Sequence, residues 1–458
     1  MTQTRLARVI VAGLAGDTGK SLVSLGLVRA LQGAGLSVAP FKKGPDFIDA
    51  AWLGAATGVP GRNLDTFLMP TEAILTSVSN ASREADIAVI EGNRGLFDGM
   101  DSVGSHSTAE LAKLIGTPVV LVVDATKTTR TVAALVKGCQ VVDPEVNIAG
   151  VVLNRVGTDR QVKVIREAIS RETGLPVLGA IPKLGEQHLP SRHLGLVTTM
   201  EHPDIKAALE KVGEAVHKHV DVDAVIELAR EATAFEEPEG IVETATAGAR
   251  VRIGVLEDEA FSFYYPENLT ALENAGAELL SISPLRDREL PDIDTLYAGG
   301  GFPEVHAAEL SANEPLRRAL KDRIDEGLPV WAECGGLMYL SRALVYEGTS
   351  FPMVGALPVE VEQLPRPQGH GYVMARVDGE NPFLEDNTTL KGHEFHYSRL
   401  CGDIEDVPTM LELRRGTGIG KGRDGIKVGS VVATYTHFHA LGTPEWAGGL
   451  VGSAMEGI

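Results

Sequence analysis

Cysteine is scarce in this sequence, and its scarcity argues against two kinds of structural support. The 458 residues include three cysteines, Cys139, Cys334 and Cys401, which lie far apart along the chain. A disulfide framework needs an even set of cysteines, and a thiolate metal site needs closely spaced pairs. Neither a disulfide framework nor a paired-cysteine metal site is therefore expected.

Positive net charge and long apolar runs are also lacking. The formal net charge is −20, which argues against binding to nucleic acid or to anionic membranes. No segment approaches the roughly 18 continuous apolar residues of a transmembrane helix, and the opening of the chain does not resemble the apolar core of a signal peptide. We therefore predict a cytoplasmic protein whose partners include neither nucleic acid nor a membrane.

Apolar strands alternate with amphipathic segments in both halves of the chain, which predicts an α/β fold. The domain 1–230 is expected to be a doubly wound parallel sheet with helices on both faces. Residues 231–249 lose apolar periodicity and gain charge, so they are predicted to be a linker, and 250–458 a second α/β domain. The predicted strands span residues 7–12, 37–41, 87–91, 119–123, 148–153, 177–181, 251–255, 281–283, 295–298, 329–332 and 431–436.

A glycine-rich segment after the first strand predicts a phosphate-binding loop for ATP. Its backbone N–H groups would cradle phosphates, Lys20 would reach the outer ones, and the Ser21 hydroxyl would bind Mg²⁺. The spacing departs from the strict motif, because Leu14 stands where the first glycine belongs and Gly13 lies one position earlier. A plain strand-to-helix turn is the alternative. The residues assigned to ATP binding here are Gly13, Gly16, Thr18, Gly19, Lys20 and Ser21.

Acidic residues after two further strands predict a magnesium site. The carboxyl ends of parallel strands meet at the edge where open α/β sheets bind ligands, and Mg²⁺ takes one or two carboxylates with phosphate oxygens and water. Singly, each acid is better explained as a loop or capping residue, but as a set they favour metal and phosphate chemistry. The predicted set is Asp46, Asp49, Glu91 and Asp98 with Ser21, and Lys42 just before it is assigned to ATP binding.

Two other polar segments are candidates for ligand contacts. Asn154 follows a strand, so its side-chain amide can read a nucleobase edge, although a turn-forming asparagine is an equal alternative. Arg192 and His193 lie in a segment that is both basic and apolar. They can meet an anionic substrate or a transferring phosphoryl group, and a plain salt bridge is the alternative for the arginine.

Cys334 lies at a predicted strand-to-helix turn in the second domain. The run 328–332 is short and apolar like a buried parallel strand, and 337–340 begins a helix. Backbone N–H groups and the helix dipole are expected to lower the pKa of a thiol placed there. This is the geometry of a nucleophile elbow with cysteine in place of serine, and a buried structural cysteine is the alternative.

A cysteine nucleophile also needs an oxyanion hole and a base. A glycine-rich turn after another strand offers unhindered N–H groups, so Gly300 and Gly301, together with Gly335, are predicted to form the hole. His437 and His439 end a further strand and point the same way if that strand continues, so either can face the thiol. Two structural histidines are the alternative.

In the order of these motifs the chain resembles the cobyrinic acid a,c-diamide synthases, which are glutamine-dependent amidotransferases of tetrapyrrole synthesis. The resemblance covers almost the whole chain, from the phosphate loop through the linker to a Cys-Gly-Gly turn and a Tyr-x-His segment. Its specific segments are 19–21, 42–49, 62–65, 91–99, 189–196, 299–304, 333–336, 392–398 and 435–437.

The resemblance implies the folds and the roles of several residues. The first domain would be similar to dethiobiotin synthetase, whose phosphate loop has the same displaced glycine, and the second to the triad glutaminases. Cys334 would be the nucleophile and His437 its base, as a dyad, because His439 stands where most such glutaminases carry an orienting glutamate. Arg62, Arg192 and His193 would contact the substrate.

The activity implied by the resemblance is ATP- and glutamine-dependent amidation of a cobyrinate-type tetrapyrrole in cobalamin biosynthesis. ATP with Mg²⁺ would convert a peripheral carboxylate to an acyl phosphate, and Cys334 would release ammonia from L-glutamine through a thioester. Ammonia would cross between the domains and displace phosphate, so that the c and a acetates become amides in turn. Activation is needed because a carboxylate is a poor electrophile, and the acyl phosphate must be kept from water.

The sequence leaves the substrate open, because residues 14–18 and 366–372 depart from the nearest relatives. Siroheme, nickel-sirohydrochlorin and hydrogenobyrinate present neighbouring acetates as cobyrinate does. Cobyric acid synthase is a second enzyme alternative, but it has glycine after the catalytic histidine where this chain has Phe438. A regulatory protein related to partition ATPases is the non-enzyme alternative, and it would not need Cys334 or His437. A homodimer is also left open.

Overall fold

The computed structural model describes residues 3–81, 83–184, 191–192, 195–238, 251–402 and 406–456. The chain divides into two compact units, one before and one after the boundary between residues 241 and 242. Part of the segment predicted as a linker belongs to the first unit, since Phe235–Glu236 pairs antiparallel with Gln3–Thr4 near the start of the chain. Residues 239–249 of that segment lie outside the described residues.

The first unit contains a sheet of seven parallel strands in the order β4-β3-β5-β2-β6-β7-β8. Its strands are β1 (Gln3–Thr4), β2 (Ala7–Gly13), β3 (Val38–Lys43), β4 (Arg62–Leu64), β5 (Ile87–Gly95), β6 (Val119–Asp124), β7 (Ile148–Val156), β8 (Val177–Pro182), β9 (Ser191–Arg192), β10 (Gly195–Leu196) and β11 (Phe235–Glu236). Its helices are α1 (Lys20–Gly33), α2 (Phe47–Thr57), α3 (Thr71–Ala81), α4 (Thr108–Leu114), α5 (Thr131–Val142), α6 (Asp159–Thr173), α7 (Ile205–His219) and α8 (Val222–Arg230).

The apolar runs of the sequence explain this sheet. A parallel strand covered on both faces reads as continuous rather than alternating hydrophobic sequence, and in β2 the side chains of Val9, Ile10 and Val11 are all 0% exposed. The doubly wound fold is confirmed, and each of the six strands predicted in this domain is present. Some reach further than predicted, as β5 does by continuing to Gly95, which carries polar residues of the predicted site into the strand end.

The second unit contains a mixed sheet of ten strands in the order β13-β12-β14-β15-β24-β23-β22-β19-β20-β25, and a smaller sheet in the order β17-β16-β18-β21. Its strands are β12 (Val251–Leu256), β13 (Ala277–Ile282), β14 (Thr295–Ala298), β15 (Val330–Glu333), β16 (Ala343–Tyr346), β17 (Thr349–Pro352), β18 (Glu360–Gln363), β19 (Gly369–Val377), β20 (Thr389–His396), β21 (Ser398–Leu400), β22 (Thr409–Arg415), β23 (Arg423–Val428), β24 (Val431–Thr434) and β25 (His437–Phe438). Its helices are α9 (Pro266–Asn274), α10 (Ala307–Ala312), α11 (Glu314–Asp325), α12 (Gly335–Leu340) and α13 (Glu445–Glu456).

The ten-stranded sheet is parallel on one side and antiparallel on the other. The first five strands in the order are parallel, and the remaining pairings are antiparallel. The strand predicted over 431–436 is wrong at its end, because β24 stops at Thr434 and β25 begins at His437. The buried carboxylate of Asp424 accepts the N–H groups of Tyr435 and Thr436, both at 3.0 Å. These bonds draw the backbone out of β24 and redirect it.

Two apolar clusters make up the core of the second unit. One joins strands β14 and β15 to α10, α11 and α12, and the other gathers Tyr297, Trp331 and Trp446 with the antiparallel strands. The carboxyl ends of the parallel strands, where Cys334 follows β15, are thereby held by large buried side chains. Within the described part of the chain, no helix has the length and apolar character of a membrane span.

Candidate functional site

The predicted phosphate-binding loop joins β2 to α1, and two of its glycines have no room for a side chain. Gly19 has φ 93° in the left-handed region, and a side chain there would begin 2.0 Å from Asn154 Nδ2. A side chain on Gly13 would begin 2.4 Å from Thr18 Oγ1, whereas one on Gly16 would meet open space. The structure therefore requires glycine at positions 13 and 19 and imposes no such steric need at position 16.

Asn154 supports this loop from the neighbouring strand β7. Its Nδ2 donates to the carbonyl of Thr18 at 2.8 Å, and its Oδ1 accepts the N–H of Arg155 at 2.9 Å. The side chain is buried, and these bonds brace the loop backbone. Its contact with a nucleobase stays a prediction.

Lys42 is the centre of a buried ionic cluster beside the loop. The parallel register of β3 and β5 places Lys42 opposite Glu91, and its Nζ lies 3.0 Å from Glu91 Oε1 and 2.5 Å from Asp49 Oδ2. Burial opposes the charge on this lysine, but the carboxylates of Asp49 and Glu91 outweigh burial and raise its pKa. Lys42 is thus held as a cation at the strand ends.

Glu91 also reaches the first turn of α1. Ser21 Oγ donates to Glu91 Oε1 at 2.8 Å, while the buried Glu91 Oε2 has no hydrogen-bond partner among the described residues. Burial, followed by the charge of Asp49, raises the pKa of Glu91 to about 7 against the lowering effect of Lys42. An unpartnered carboxylate oxygen next to a serine hydroxyl at a helix N-terminus fits a Mg²⁺ ligand set completed by phosphate oxygens and water.

The four predicted acids do not form one metal cage. Asp46 accepts the N–H of Asp49 at 2.8 Å and so caps α2, and Asp98 is exposed and accepts the N–H of Gly95 at 2.8 Å. Across the described ranges, no three His, Cys, Asp or Glu side chains meet as a metal site. The structure therefore unites Asp49 and Glu91 on Lys42, with Asp46 beside Asp49, and gives Asp98 a local turn contact.

The structure describes the three predicted substrate residues in different detail. Arg62 begins the edge strand β4 and is half-buried. Arg192 lies in β9, opposite Gly195 of β10, and its side chain is not among those described. His193 lies outside the described residues.

Cys334 occupies a strained turn between β15 and α12. Its φ of 47° and ψ of −94° are unusual for a residue with a side chain, and its N–H donates to the carbonyl of Thr434 at 2.7 Å. A sharp strand-to-helix turn of this kind presents a nucleophile at the carboxyl end of a parallel sheet. The side chain is 7% exposed.

The expected lowering of the thiol pKa is wrong for this structure. Burial, followed by the negative charges of Glu304 and Glu333, raises the pKa of Cys334, and the backbone N–H of Gly335 only partly opposes this. Helix α12 has six residues, so its dipole is too small to outweigh burial and two carboxylates. The resting thiol is therefore protonated and needs a base.

His437, the residue predicted to be that base, has its ring oriented by a buried carboxylate. Its Nδ1 lies 3.1 Å from Glu333 Oε2, and because a carboxylate accepts, Nδ1 carries the proton and Nε2 the lone pair. The other oxygen of Glu333 accepts the indole N–H of Trp331 at 3.0 Å. A side chain on Gly300 would begin 2.5 Å from His437 Cε1, so the ring edge lies against the predicted oxyanion turn. Glu333 is thus a candidate third member of the predicted Cys–His dyad, and the catalytic role of the dyad stays a prediction.

The predicted oxyanion turn is anchored through its carbonyls. Gly300 O accepts the N–H groups of Ser262 and Phe263 at 3.1 and 3.0 Å, and Gly299 O accepts the N–H of Gly336 at 3.0 Å. Tyr264 Oη accepts the N–H of Gly299 at 2.8 Å. These carbonyls cannot rotate toward the thiol without breaking hydrogen bonds.

The backbone of the turn also lies close to the residue after the nucleophile. A side chain on Gly335 would begin 2.9 Å from the nitrogen of Gly301. Glycine at position 335 therefore permits the N–H groups of Gly301 and Gly335 to approach one point. The grouping of Gly300, Gly301 and Gly335 matches the predicted hole, and its catalytic role stays a prediction.

His439 has a different environment from His437. Its Nδ1 accepts the N–H of Leu441 at 3.2 Å, and its Nε2 lies 3.6 Å from Glu267 Oε2. The ring is fully buried and packs 4.4 Å from the ring centroid of Tyr265. His439 thus contacts Glu267 and Tyr265, whereas His437 contacts Glu333, and the choice of His437 as the base stays a prediction.

Three residues of the site were not found from the sequence: Glu333, Tyr264 and Asp424. Glu333 precedes Cys334 directly, and its meeting with His437 depends on β15 lying beside β24 with Glu333 opposite Thr434. The sequence predicts both of these strands, at 329–332 and 431–436, and this was the available indication that Glu333 and His437 could meet. Tyr264 and Asp424 act on backbone groups, for which the sequence has no comparable pattern.

Two family descriptions match the two units. Residues 9–196 match the CobQ/CobB/MinD/ParA nucleotide binding domain, and residues 252–445 match the CobB/CobQ-like glutamine amidotransferase domain. Together with the buried Cys334 turn and the glycine-rich loop before Lys20, they define a glutamine amidotransferase that carries its own nucleotide-binding domain.

Curated relatives are similar to this chain over almost its whole length. The cobyrinate a,c-diamide synthase of Magnetococcus marinus is 42% identical over 97% of this chain and 96% of its own length. That of Archaeoglobus fulgidus is 41% identical over 98% of both chains. The protein belongs to the cobyrinate a,c-diamide synthase family, and it is a carbon–nitrogen ligase with glutamine as the amido donor. The resemblance noted from the sequence is confirmed.

Proposed function

We propose that the protein amidates the a and c acetate carboxylates of a cobyrinate-type tetrapyrrole in cobalamin biosynthesis, using ATP in the first unit and glutamine in the second. The relatives named above are cobyrinate a,c-diamide synthases over almost their full length. The observation that carries the proposal is that one chain holds both the Lys42–Glu91 ion pair beside a glycine-rich loop and, in its other unit, the His437–Glu333 pair near the strained Cys334 turn.

In the first unit, a substrate carboxylate oxygen attacks the γ-phosphorus of ATP, and ADP leaves. Lys20, at the start of α1, holds the outer phosphates, and the paired cation Lys42 faces the charge that develops on the transferring group. Ser21 and Glu91, with Asp49, would hold Mg²⁺, which when bound neutralises phosphate charge. The product is an acyl phosphate, whose carbonyl carbon is a competent electrophile.

In the second unit, His437 Nε2 takes the proton of the Cys334 thiol as sulfur attacks the amide carbon of glutamine. The oxyanion is met by backbone N–H groups of the Gly300 and Gly335 segments. The proton passes to the leaving nitrogen, ammonia departs, and water hydrolyses the thioester to glutamate. Glu333 keeps the proton of His437 on Nδ1 and stabilises the imidazolium that forms.

Ammonia then attacks the acyl phosphate carbon, and phosphate leaves. Each amide therefore consumes one ATP and one glutamine and yields ADP, phosphate and glutamate. Because the two chemistries use different residues, they can be separated by substitution.

Two variants test the proposal with cobyrinate as substrate and diamide measured by mass spectrometry. Cys334→Ser should lose glutamine-dependent synthesis, because a serine hydroxyl is far less acidic than a thiol, and should keep synthesis from added ammonium salt at high pH. Lys20→Ala should lose both routes, because neither nitrogen source replaces acyl activation. Retention of glutamine use by Cys334→Ser, or of the ammonium route by Lys20→Ala, would refute the division of labour.

A further inference from the structure

We propose that Lys42 keeps Mg²⁺ from binding to the first unit on its own, so that the metal enters only together with ATP. The inference rests on the proposed function, in which Ser21, Glu91 and Asp49 would hold Mg²⁺, and it adds a residue that decides when the metal binds. Lys42 lies in β3, and its side chain is 3% exposed.

The ammonium group of Lys42 contacts the carboxylates that would coordinate the metal. Its Nζ lies 2.5 Å from Asp49 Oδ2 and 3.0 Å from Glu91 Oε1, and it donates to the carbonyl of Gly92 at 3.3 Å. An ammonium group has three N–H donors, so these three acceptors satisfy it. Ser21, the remaining proposed ligand, donates to the same Glu91 Oε1 at 2.8 Å. The contacts of Lys42 and those proposed for Mg²⁺ therefore coincide.

The charges of Lys42 and Mg²⁺ make the two cations compete. Glu91 is 1% exposed, and inside a protein the repulsion between nearby like charges is screened far less than in water. A Mg²⁺ ion on Glu91 would place two further positive charges beside an ammonium group that has lost part of its pairing. Mg²⁺ also gives up its water reluctantly, so carboxylates whose charge a lysine already balances attract it little.

ATP supplies the negative charge that removes this conflict. Its phosphate oxygens are ligands for the metal, and they also accept charge-assisted hydrogen bonds from an ammonium group. Lys42 would then leave Glu91 for a phosphate oxygen, which frees the carboxylate for Mg²⁺. The second oxygen of that carboxylate, Oε2, is buried and has no hydrogen-bond partner among the described residues, so it is available to the metal. Metal and nucleotide would thus bind as one unit.

The test measures the binding of Mn²⁺, a paramagnetic substitute for Mg²⁺, by electron paramagnetic resonance in the absence of nucleotide. Lys42→Met removes the ammonium group and keeps an unbranched side chain. Mn²⁺ should therefore bind to this variant at least about tenfold more tightly than to the wild-type protein. An affinity that is equal in the two proteins, or weaker in Lys42→Met, would overturn the proposal.

Two further variants show whether the gained affinity belongs to this site. Lys113→Met removes another lysine that lies between two carboxylates, 2.7 Å from both Glu110 Oε1 and Asp143 Oδ2, and it should gain no Mn²⁺ affinity. Glu91→Gln combined with Lys42→Met should lose the gained affinity. A gain in Lys113→Met equal to that in Lys42→Met, or a gain that survives Glu91→Gln, would refute competition at Glu91.

Unfolding in urea gives a second readout, which serves even where the variant folds poorly without metal. Removal of Lys42 leaves two largely buried carboxylates without their cation, so Lys42→Met should unfold at a lower urea concentration than the wild-type protein. Because a ligand that binds the folded state stabilises it, Mn²⁺ should raise the urea midpoint of Lys42→Met and leave that of the wild-type protein unchanged. No rise in the variant, or an equal rise in both proteins, would contradict the proposal.

These measurements involve no amidation, so they separate the inference from the function on which it rests. If Lys42→Met gains no Mn²⁺ affinity while Cys334→Ser and Lys20→Ala behave as predicted above, the inference alone fails. If Lys20→Ala keeps the ammonium route, the proposed function fails, and the inference fails with it.

Discussion

Among the single residues of the second unit, the neighbours Cys334 and Glu333 require opposite electrostatic surroundings. Cys334 must lose a proton to act, while Glu333 must keep a negative charge to hold His437. The position of Glu333 next to Cys334 disfavours the thiolate, because the negative charge of Glu333 contributes to the raised pKa of the Cys334 thiol. In the proposed mechanism this conflict is resolved because sulfur passes its proton directly to the imidazole of His437 during attack.

Glu333→Gln tests the orienting role of this carboxylate. A glutamine side chain keeps the shape but cannot hold the Nδ1 proton as an anion does, so the wrong tautomer is populated and the imidazolium is less stable. We expect kcat for glutamine hydrolysis to fall by about 10²- to 10⁴-fold, measured by glutamate release. Synthesis from ammonium salt should be unchanged. Glu309→Gln, which removes an exposed carboxylate from α10, should lose less than about threefold, and a loss as small as that in Glu333→Gln would show that Cys334 and His437 suffice as a dyad.

At the scale of elements, the break between β24 and β25 sets the position of His437. Asp424 is fully buried and accepts the N–H groups of Tyr435 and Thr436, the Thr436 hydroxyl and the N–H of Gly425. Burial raises its pKa despite these bonds. The Asp424 carboxylate therefore accepts the backbone N–H groups of residues 435 and 436, which lie between the two strands and do not pair with a neighbouring strand.

Asp424→Asn should loosen this break. The amide group of asparagine presents donors to N–H groups that need an acceptor, so at least one buried donor loses its partner, at a cost of about 1–3 kcal/mol. We expect a lower midpoint in urea unfolding together with at least a tenfold lower kcat for glutamine hydrolysis. Asp322→Asn on the exposed face of α11 is the control. Wild-type glutaminase activity in Asp424→Asn would show that the break does not position the base.

The elements that the sequence predicts are those with strong local patterns. Most of the buried parallel strands are continuous apolar runs, as residues 119–123 are, and they were found, whereas the short parallel strand β4 was not. The antiparallel strands between α12 and β24 were not, because they are short and their partners are set by tertiary pairing. Glu333 was missed for a related reason: it is 104 residues from His437 in the sequence, and the two meet only through the register of β15 and β24.

At the scale of the whole molecule, an acidic protein must bind polyanions through local charge. The net charge of −20 repels both ATP and a polycarboxylate, so under the proposed function their binding would depend on cations at the strand ends of the first unit. Lys42 keeps its charge through Asp49 and Glu91, whereas burial and the nearby Lys42 lower the pKa of Lys20. Phosphate binding at Lys20 would offset that cost.

Activation by ATP of the carboxylate that becomes the amide can be followed by the transfer of oxygen from that carboxylate to phosphate. Cobyrinate labelled with ¹⁸O in its carboxylates is incubated with ATP and glutamine in unlabelled water. The ¹⁸O content of the released phosphate is then measured by mass spectrometry. Attack of a carboxylate oxygen on ATP predicts one ¹⁸O in phosphate for each amide formed. Unlabelled phosphate accompanying full diamide formation would contradict the acyl phosphate and, with it, the role assigned to the first unit.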